Sequence, residues 1–365
     1  MELLLSVIIL FLVFYYFFLV LVLIAKFKGT KQSQMPFEQK FISVIVSAKN
    51  EEKNISGLIR SLVSQTYPLE KYEIIIVDDY STDSTRELIL KASNELLNLR
   101  YIDNRNNPSM DKGKKSALTY GISQSNGEII LLTDADCRPG KDWITSVTSQ
   151  FDSEISAVIG FSPFAVKKGF FNTFIRYENI KSSFLMSVFY FIGLPYLSFG
   201  RNFAYRRSVF EMIRGFTSIN HSLSGDDDLF LQRLRKSGKN IQLTSAKDSI
   251  VFSEPADSIK KYFRQKTRHL SASKYYPMKL KFLLGAYYIG NLFLTITFLV
   301  SILFSRIDLA LLSLPKFLLD VVSISYTSRK ISSSLSPLQI IFGELAYTLF
   351  YPIVGVLSRR KNIRW

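Results

Sequence analysis

Hydrophobic and polar positions divide the chain into an apolar start, an alternating middle and an apolar end. Leu3 to Ala25 contains no charged residue. At a 1.5 Å rise, a helix over this run crosses a hydrocarbon core of about 30 Å. A cleaved signal peptide has basic residues before a shorter run and a small-residue cleavage site. Here Glu2 precedes the run and Lys26 follows it, so the pattern predicts an uncleaved anchor over 1–27. Lys26, Lys28, Lys31 and Lys40 come next, which places the following domain in the cytoplasm by the positive-inside rule. Leu283 to Phe304 is a second uncharged run, preceded by Lys279 and Lys281. Ile307 to Ser328 carries Asp308, Lys316 and Asp320, and Leu335 to Leu357 carries Glu344. Charges in mid-bilayer are costly, so these two segments read as spans, interfacial helices or a re-entrant pair. The terminal Arg359, Arg360, Lys361 and Arg364 favour one of the two spanning, which leaves them cytoplasmic.

Between Lys40 and Pro277 short apolar runs alternate with helical periodicities. Phe41 to Ser47, Glu73 to Val77, Leu99 to Ile102 and Glu128 to Thr133 read as strands. Glu51 to Ser64, Ser84 to Leu97 (with Ser81 or Thr82 as its cap) and Lys114 to Gln124 read as helices. This alternation predicts an α/β fold with a mostly parallel sheet and helices on both faces. Phe170 to Phe191 mixes Phe and Tyr with scattered Lys, and Ala256 to Tyr276 alternates apolar with basic residues. Each reads equally as a membrane-surface helix or as an amphipathic core helix. The expected domains are 1–27, 40–255, 256–280 and 281–365.

The balance of 46 Lys and Arg against 30 Asp and Glu gives a formal charge of +16 on a chain that is 47% hydrophobic. That combination suits anionic lipid or phosphate-bearing ligands. A single cysteine, Cys137, excludes an internal disulfide framework, and two histidines, His221 and His269, argue against a His-rich zinc site.

Polar chemistry gathers at the predicted strand ends. The first ends in Ser47-Ala48-Lys49-Asn50-Glu51, the second in Asp78-Asp79, and the fourth in Asp134-Ala135-Asp136. Ligands of open α/β sheets bind beyond the carboxyl ends of the strands. One acid after a strand is an ordinary turn signal, whereas three converging tips exceed that need. Asp134 and Asp136 have the i, i+2 spacing that aims two carboxylates at one hard cation, Mn2+ or Mg2+. Lys112, Lys114 and Lys115 flank Gly113 before a helix, a place for a diphosphate or simply a solvated loop. Asp226, Asp227 and Asp228 open another helix. One of them serves as cap, and neighbouring carboxylates raise one another's pKa, which suits a general base.

In this order the motifs resemble glycosyltransferase family 2, with its Rossmann-like GT-A fold, over Phe41 to about Ser273. An N-terminal transmembrane helix with C-terminal transmembrane or interfacial helices resembles its membrane-bound members, the ceramide glucosyltransferases and the cellulose and hyaluronan synthases. The resemblance implies that Asp78 or Asp79 contacts uracil, with Ser47 and Glu51 nearby. It implies a nucleotide-sugar site completed by Lys112, Lys114, Asp134, Asn202, Gln265, Arg268 and His269. It makes Asp134-Ala135-Asp136 the metal motif, with Mn2+ or Mg2+ on Asp136 and Asp134. Asp226 takes the place of the catalytic aspartate; the Glu of the family's E-D-x-D-L pattern is Gly225, which leaves Asp227 as the alternative base. Gln265-x-x-Arg268-His269 resembles QxxRW, and His in place of Trp puts processivity in doubt.

The resemblance thus implies an inverting, metal-assisted transfer from a UDP-sugar to a lipid or lipid-linked acceptor at the membrane. Nucleic acid is not an expected partner; a homo-oligomer is open. A processive polysaccharide synthase is the alternative within the class. A nucleotidylyltransferase is the alternative outside it, distinguished by pyrophosphate release.

Overall fold

The computed structural model describes residues 2–27, 39–109, 111–222 and 224–359. Lys28, Lys31, Arg360, Lys361 and Arg364, which bear on orientation, lie outside the described residues. The chain divides into two compact units, Lys31–Ala165 with Leu197–Glu254, and Met1–Thr30 with Val166–Tyr196 and Pro255–Trp365. The expected single domain over 40–255 is therefore interrupted by residues 166–196, which belong to the helical unit.

In chain order the elements are α1 (Glu2–Phe27), β1 (Ile42–Ala48), α2 (Ile55–Val63), β2 (Tyr72–Asp78), α3 (Thr85–Glu95), β3 (Leu99–Asp103), α4 (Lys114–Ser123), β4 (Ile129–Asp134), β5 (Cys137–Pro139), α5 (Trp143–Thr148) and β6 (Ile155–Ile159). They continue with α6 (Phe170–Phe191), β7 (Phe203–Arg206), α7 (Arg207–Met212), α8 (Asp228–Lys236), β8 (Asn240–Leu243), β9 (Val251–Ser253), α9 (Ile259–Ser271), α10 (Met278–Leu303), α11 (Ile307–Lys330) and α12 (Pro337–Leu357).

The α/β unit holds a seven-stranded sheet of order β3-β2-β1-β4-β7-β6-β8. β1 to β4 run parallel; β1, β2 and β4 are buried almost throughout, and β3 is the partly exposed edge strand. β7 turns antiparallel to β4 and β6, and β8 lies parallel to β6. β5 and β9 form a separate antiparallel pair. Ile55, Leu58, Ile59 and Leu62 of α2 pack into the core with Trp143 and Ile144 of α5. Two predicted helix starts move. The Glu51 carbonyl takes the amides of Asn54 and Ile55, so a turn precedes α2. α3 begins at Thr85 behind Ser84, not at Ser81 or Thr82.

In the helical unit α6 is neither a surface helix nor an amphipathic one. Its residues are buried almost continuously from Phe174 to Phe189, including Arg176, Glu178 and Lys181. Each of these charges has a partner. Arg176 donates to the Ser334 carbonyl at 2.6 Å. Glu178 accepts from Tyr262 and Tyr351 and pairs with Lys266 at 2.5 Å. Lys181 pairs with Glu344 of α12, which also binds Lys316 of α11 at 2.7 Å and the Tyr177 hydroxyl. Lys316 in turn lies 2.8 Å from Asp320. Among the described residues three helices are long and apolar enough to cross a membrane, over Leu3–Ala25, Met278–Leu303 and Pro337–Leu357. α12 starts at a capping box between Ser336 and Gln339, with Pro337 in its first turn.

Candidate active site

Strand register aligns the polar tips. Ala48 pairs with Asp78, Ser47 with Asp134, and Asp78 with Asp103, so four adjacent parallel strands end at one edge. Asp78 is buried; its Oδ1 accepts the Ser81 amide at 3.1 Å, while its Oδ2 has no hydrogen-bond partner. A buried acceptor without a partner is costly and marks a place for a donor from a ligand. Asp79 is oriented instead by protein groups, accepting from Asn104 Nδ2 at 2.9 Å and the Gly113 amide at 3.1 Å. The β1 and β2 tips are stitched together. Asn50 Oδ1 takes the Thr82 amide at 2.8 Å, and Thr85 Oγ1 takes the Glu51 amide at 2.7 Å. Asn50 and Tyr80 hold φ of 56° and 61°, the left-handed conformation such tight turns demand. The Lys112 ammonium lies 4.5 Å from the centre of the Tyr80 ring.

Lys114 connects the two acidic motifs. Its Nζ is 2.7 Å from Asp134 Oδ1 and 3.1 Å from Asp226 Oδ2. Burial draws this ammonium down, but the carboxylates of Asp134, Asp226 and Asp227 outweigh it, and its pKa stands well above the ordinary lysine value. Asp227 caps α8: its Oδ1 accepts the Asp228 amide at 2.8 Å and its Oδ2 the Gly200 amide at 3.2 Å. Burial and then the Asp226 carboxylate push Asp227 up to about 6, against the pull of Lys114. The cap role thus falls to Asp227, and Asp226 faces the Lys114–Asp134 cluster.

Asp136 is raised by burial and then by Asp134, with Arg201 opposing. Its described hydrogen bond is the weak one from Cys137 Sγ at 3.5 Å. Among the described residues no three His, Cys, Asp or Glu side chains form a ready-made metal cage. Two neighbouring carboxylates with hard oxygens, one of them weakly bonded, nevertheless fit a cation that shares its shell with substrate phosphates. Burial, then Asp136 and Asp134, push the Cys137 thiol far up, so it is an inert buried side chain.

Ser47, Glu51, Asp78, Asp79, Lys112, Lys114, Asp134, Asp136, Asp226 and Asp227 all stand in the α/β unit. Asn202 does too, but its amide is spent internally. It accepts from Trp143 Nε1 at 3.0 Å and donates to the carbonyls of Phe161 and Ser249 at 2.7 and 2.8 Å. Asn202 is therefore a buried strut rather than a donor ligand. Gln265, Arg268 and His269 stand on α9 of the helical unit, with Arg268 Nη2 3.3 Å from His269 Nε2. Asn104 escaped sequence reasoning, as did the hold of the Gly200 amide on Asp227. Asn104 was findable, because it follows the end of β3 in the same way as the other tips.

Comparison with known proteins is consistent with this geometry. The family model described as "Glycosyl transferase family 2" matches residues 43–214, and "Glycosyl transferase family group 2" matches 129–357. The probable glycosyltransferase YdaM of Bacillus subtilis is 29% identical over 246 residues, 65% of this chain and 56% of that protein. Glycosyltransferase AglE of Haloferax volcanii is 30% identical over 61% of this chain and 71% of its own length. A beta-monoglucosyldiacylglycerol synthase of Trichormus variabilis is 34% identical over 34% of this chain and 26% of its own. The chain thus spans about half of the first of these relatives and about a quarter of the last. The solved mannosyltransferase PcManGT from Pyrobaculum calidifontis, in complex with GDP-Man and Mn2+, superposes with TM-score 0.58 at 18% identity, covering 97% of this chain and 99% of that one. That likeness is one of fold, the GT-A arrangement.

Proposed function

The chain belongs to glycosyl transferase family 2 and is a glycosyltransferase; from that premise we propose an inverting, membrane-bound enzyme that moves a sugar from a UDP-sugar to a lipid or lipid-linked acceptor. The observation that carries it is the Lys114 bridge, which holds the acid at the metal motif and the candidate base on one ammonium.

The acceptor hydroxyl oxygen attacks C1 of the sugar as the bond from C1 to the diphosphate oxygen breaks. The electron pair leaves with the nucleotide diphosphate, and the hydroxyl proton passes to the Asp226 carboxylate. One displacement inverts the anomeric centre. Asp78 Oδ2, buried and without a hydrogen-bond partner, receives a donor from the base, and Asp79, held by Asn104, shapes that pocket. Lys112 and Lys114 supply positive charge where the leaving group gains negative charge. Asp134 and Asp136 are the residues to hold Mn2+ or Mg2+, whose chemistry is to neutralise the departing diphosphate. Gln265, Arg268 and His269 are assigned to the donor on their motif alone.

The lipid acceptor rests on the apolar helices and on the relative named for making a glucosyldiacylglycerol. α1, α10 and α12 are the spans in this reading, and α11 packs beside them without crossing, which keeps the end of α12 on the cytoplasmic side. α11 buries Lys316 and Asp320 and exposes Leu311, Leu314, Leu318 and Val322, an apolar face for lipid. The α/β unit faces the cytoplasm, by the basic residues that follow α1.

The test is nucleotide release by the detergent-solubilised chain with mixed membrane lipid, Mn2+ or Mg2+, and a panel of UDP-sugars with GDP-mannose. Release with one UDP-sugar, dependent on lipid and lost with EDTA and in Asp226→Asn, is expected. Release from GDP-mannose alone overturns the uracil assignment. Lipid-dependent release that survives Asp226→Asn overturns the base.

A further inference from the structure

Lys115 neighbours Lys114 on the first turn of α4 but serves a different group. Adjacent helix residues project about 100° apart, and here the two ammonium groups take different hydrogen-bond partners. The Lys115 Nζ donates to the carbonyls of Ile219, at 2.6 Å, of Ser222, and of Ser224, at 3.4 Å. An ammonium has three donors, and three main-chain acceptors of one loop converge on this one. That loop runs from a short 3-10 turn, Thr217–Ile219, to Gly225, whose φ of 101° aims the chain at Asp226. The far side of the same stretch is fixed at Gly200, whose amide holds Asp227. α4 itself is anchored by the Gly113 amide on Asp79, at the end of β2. The chain is thus continuous in contacts from the nucleotide-side tip, through α4, to the loop that delivers Asp226.

We propose that Lys115 is a positioning residue: it docks the backbone before Asp226 through the carbonyls of Ile219, Ser222 and Ser224 and so sets where the Asp226 carboxylate stands relative to the acceptor hydroxyl. The inference rests on the reading of Asp226 as base. It separates three lysines that one run of sequence presents together. Lys112 stands over Tyr80, Lys114 pairs with Asp134 and Asp226, and Lys115 feels the Asp226 and Asp228 charges but gives its hydrogen bonds to the backbone before them. Arginine retains donors for carbonyls, whereas methionine retains only the bulk of the stem.

The experiment compares wild type, Lys115→Met, Lys115→Arg and Asp226→Asn as full chains in detergent. Nucleotide release from the panel donors is measured with and without added membrane lipid. The ratio of lipid-dependent transfer to hydrolysis is independent of the folded fraction, so a merely destabilised protein keeps it. A base displaced by about 1 Å costs up to about 100-fold in transfer. Lys115→Met is expected to lower the ratio about 10- to 100-fold, and Lys115→Arg to stay within about threefold of wild type. Hydrogen exchange over 217–226 is expected to rise in the Met variant and to hold in the Arg variant. An unchanged ratio in Lys115→Met, with Asp226→Asn abolishing transfer, overturns the inference and leaves the base intact. Transfer that persists in Asp226→Asn fails the underlying reading instead. If no donor turns over, unchanged loop exchange in the Met variant still overturns the docking role.

Discussion

The buried charges of the helical unit allow a magnitude to be worked out. Lys181, Lys316, Asp320 and Glu344 make two ammonium groups against two carboxylates, a neutral cluster drawn from α6, α11 and α12. Replacing Glu344 by Leu leaves one uncompensated positive charge and strips a partner from Lys181, Lys316 and Tyr177 at once. Removing one member of a buried pair costs about 3–5 kcal/mol, because the remaining charge stays desolvated. At roughly 2–4 °C per kcal/mol for a unit of this size, Tm falls by about 10 °C. The double variant Glu344→Leu/Lys181→Met restores neutrality and keeps Lys316 beside Asp320 at 2.8 Å. It is expected to recover at least half of the loss. The assay is a thermal melt of the detergent-solubilised chain, read by the fraction that remains monodisperse. A single substitution that leaves Tm within about 2 °C refutes the reasoning, as does a double variant that loses the full sum of the two singles.

Three further outcomes are expected. Asp227, lifted to about 6 by burial and the Asp226 carboxylate, gains its charge beside the candidate base, so the acid limb of the rate belongs to the two carboxyls together and the rate should rise along it as the base deprotonates. Asp227→Asn removes a like charge and should move that limb to lower pH; a pH–rate profile reads both. A Cβ on Gly200 meets Asp226 Oδ2 and Asp227 Cβ at 3.3 Å, so Gly200→Ala should cut turnover about tenfold or more without lowering Tm. Asn104→Ala removes a donor from Asp79 worth about 1 kcal/mol, and donor KM should rise about fivefold while kcat holds.

The parallel half of the sheet was legible because β1, β2 and β4 are buried on both faces and read as mostly apolar runs, with β3 the weaker edge strand. β5, β8 and β9, at 3, 4 and 3 residues, are too short to show a period. α6 misled for a physical reason. Its Arg176, Glu178 and Lys181 look like a solvated stripe, yet each finds a partner inside the bundle. The strand tips exposed the acids of the site, but sequence does not say which of three consecutive aspartates becomes the cap. That depended on the Gly200 amide, a contact 27 residues away. Asn202 misled in the opposite direction, since an amide among basic residues looks like a ligand until its three internal partners are seen.

The interruption of the α/β unit by residues 166–196 bears on how the protein can be cut. A soluble fragment taken as 40–255 still carries α6, stripped of the α12 ring and carboxyl groups that cover it. Tyr177, Phe184, Phe189 and the lone charges of Glu178 and Lys181 then face water, a recipe for aggregation rather than for an isolated catalytic domain. Joining Ala165 to Leu197 through a short glycine–serine linker removes that segment along the boundary the chain itself draws. Ribosomal synthesis meets the same boundary in time. α6 emerges before α11 and α12 exist, so its charges wait for partners that the last third of the chain supplies.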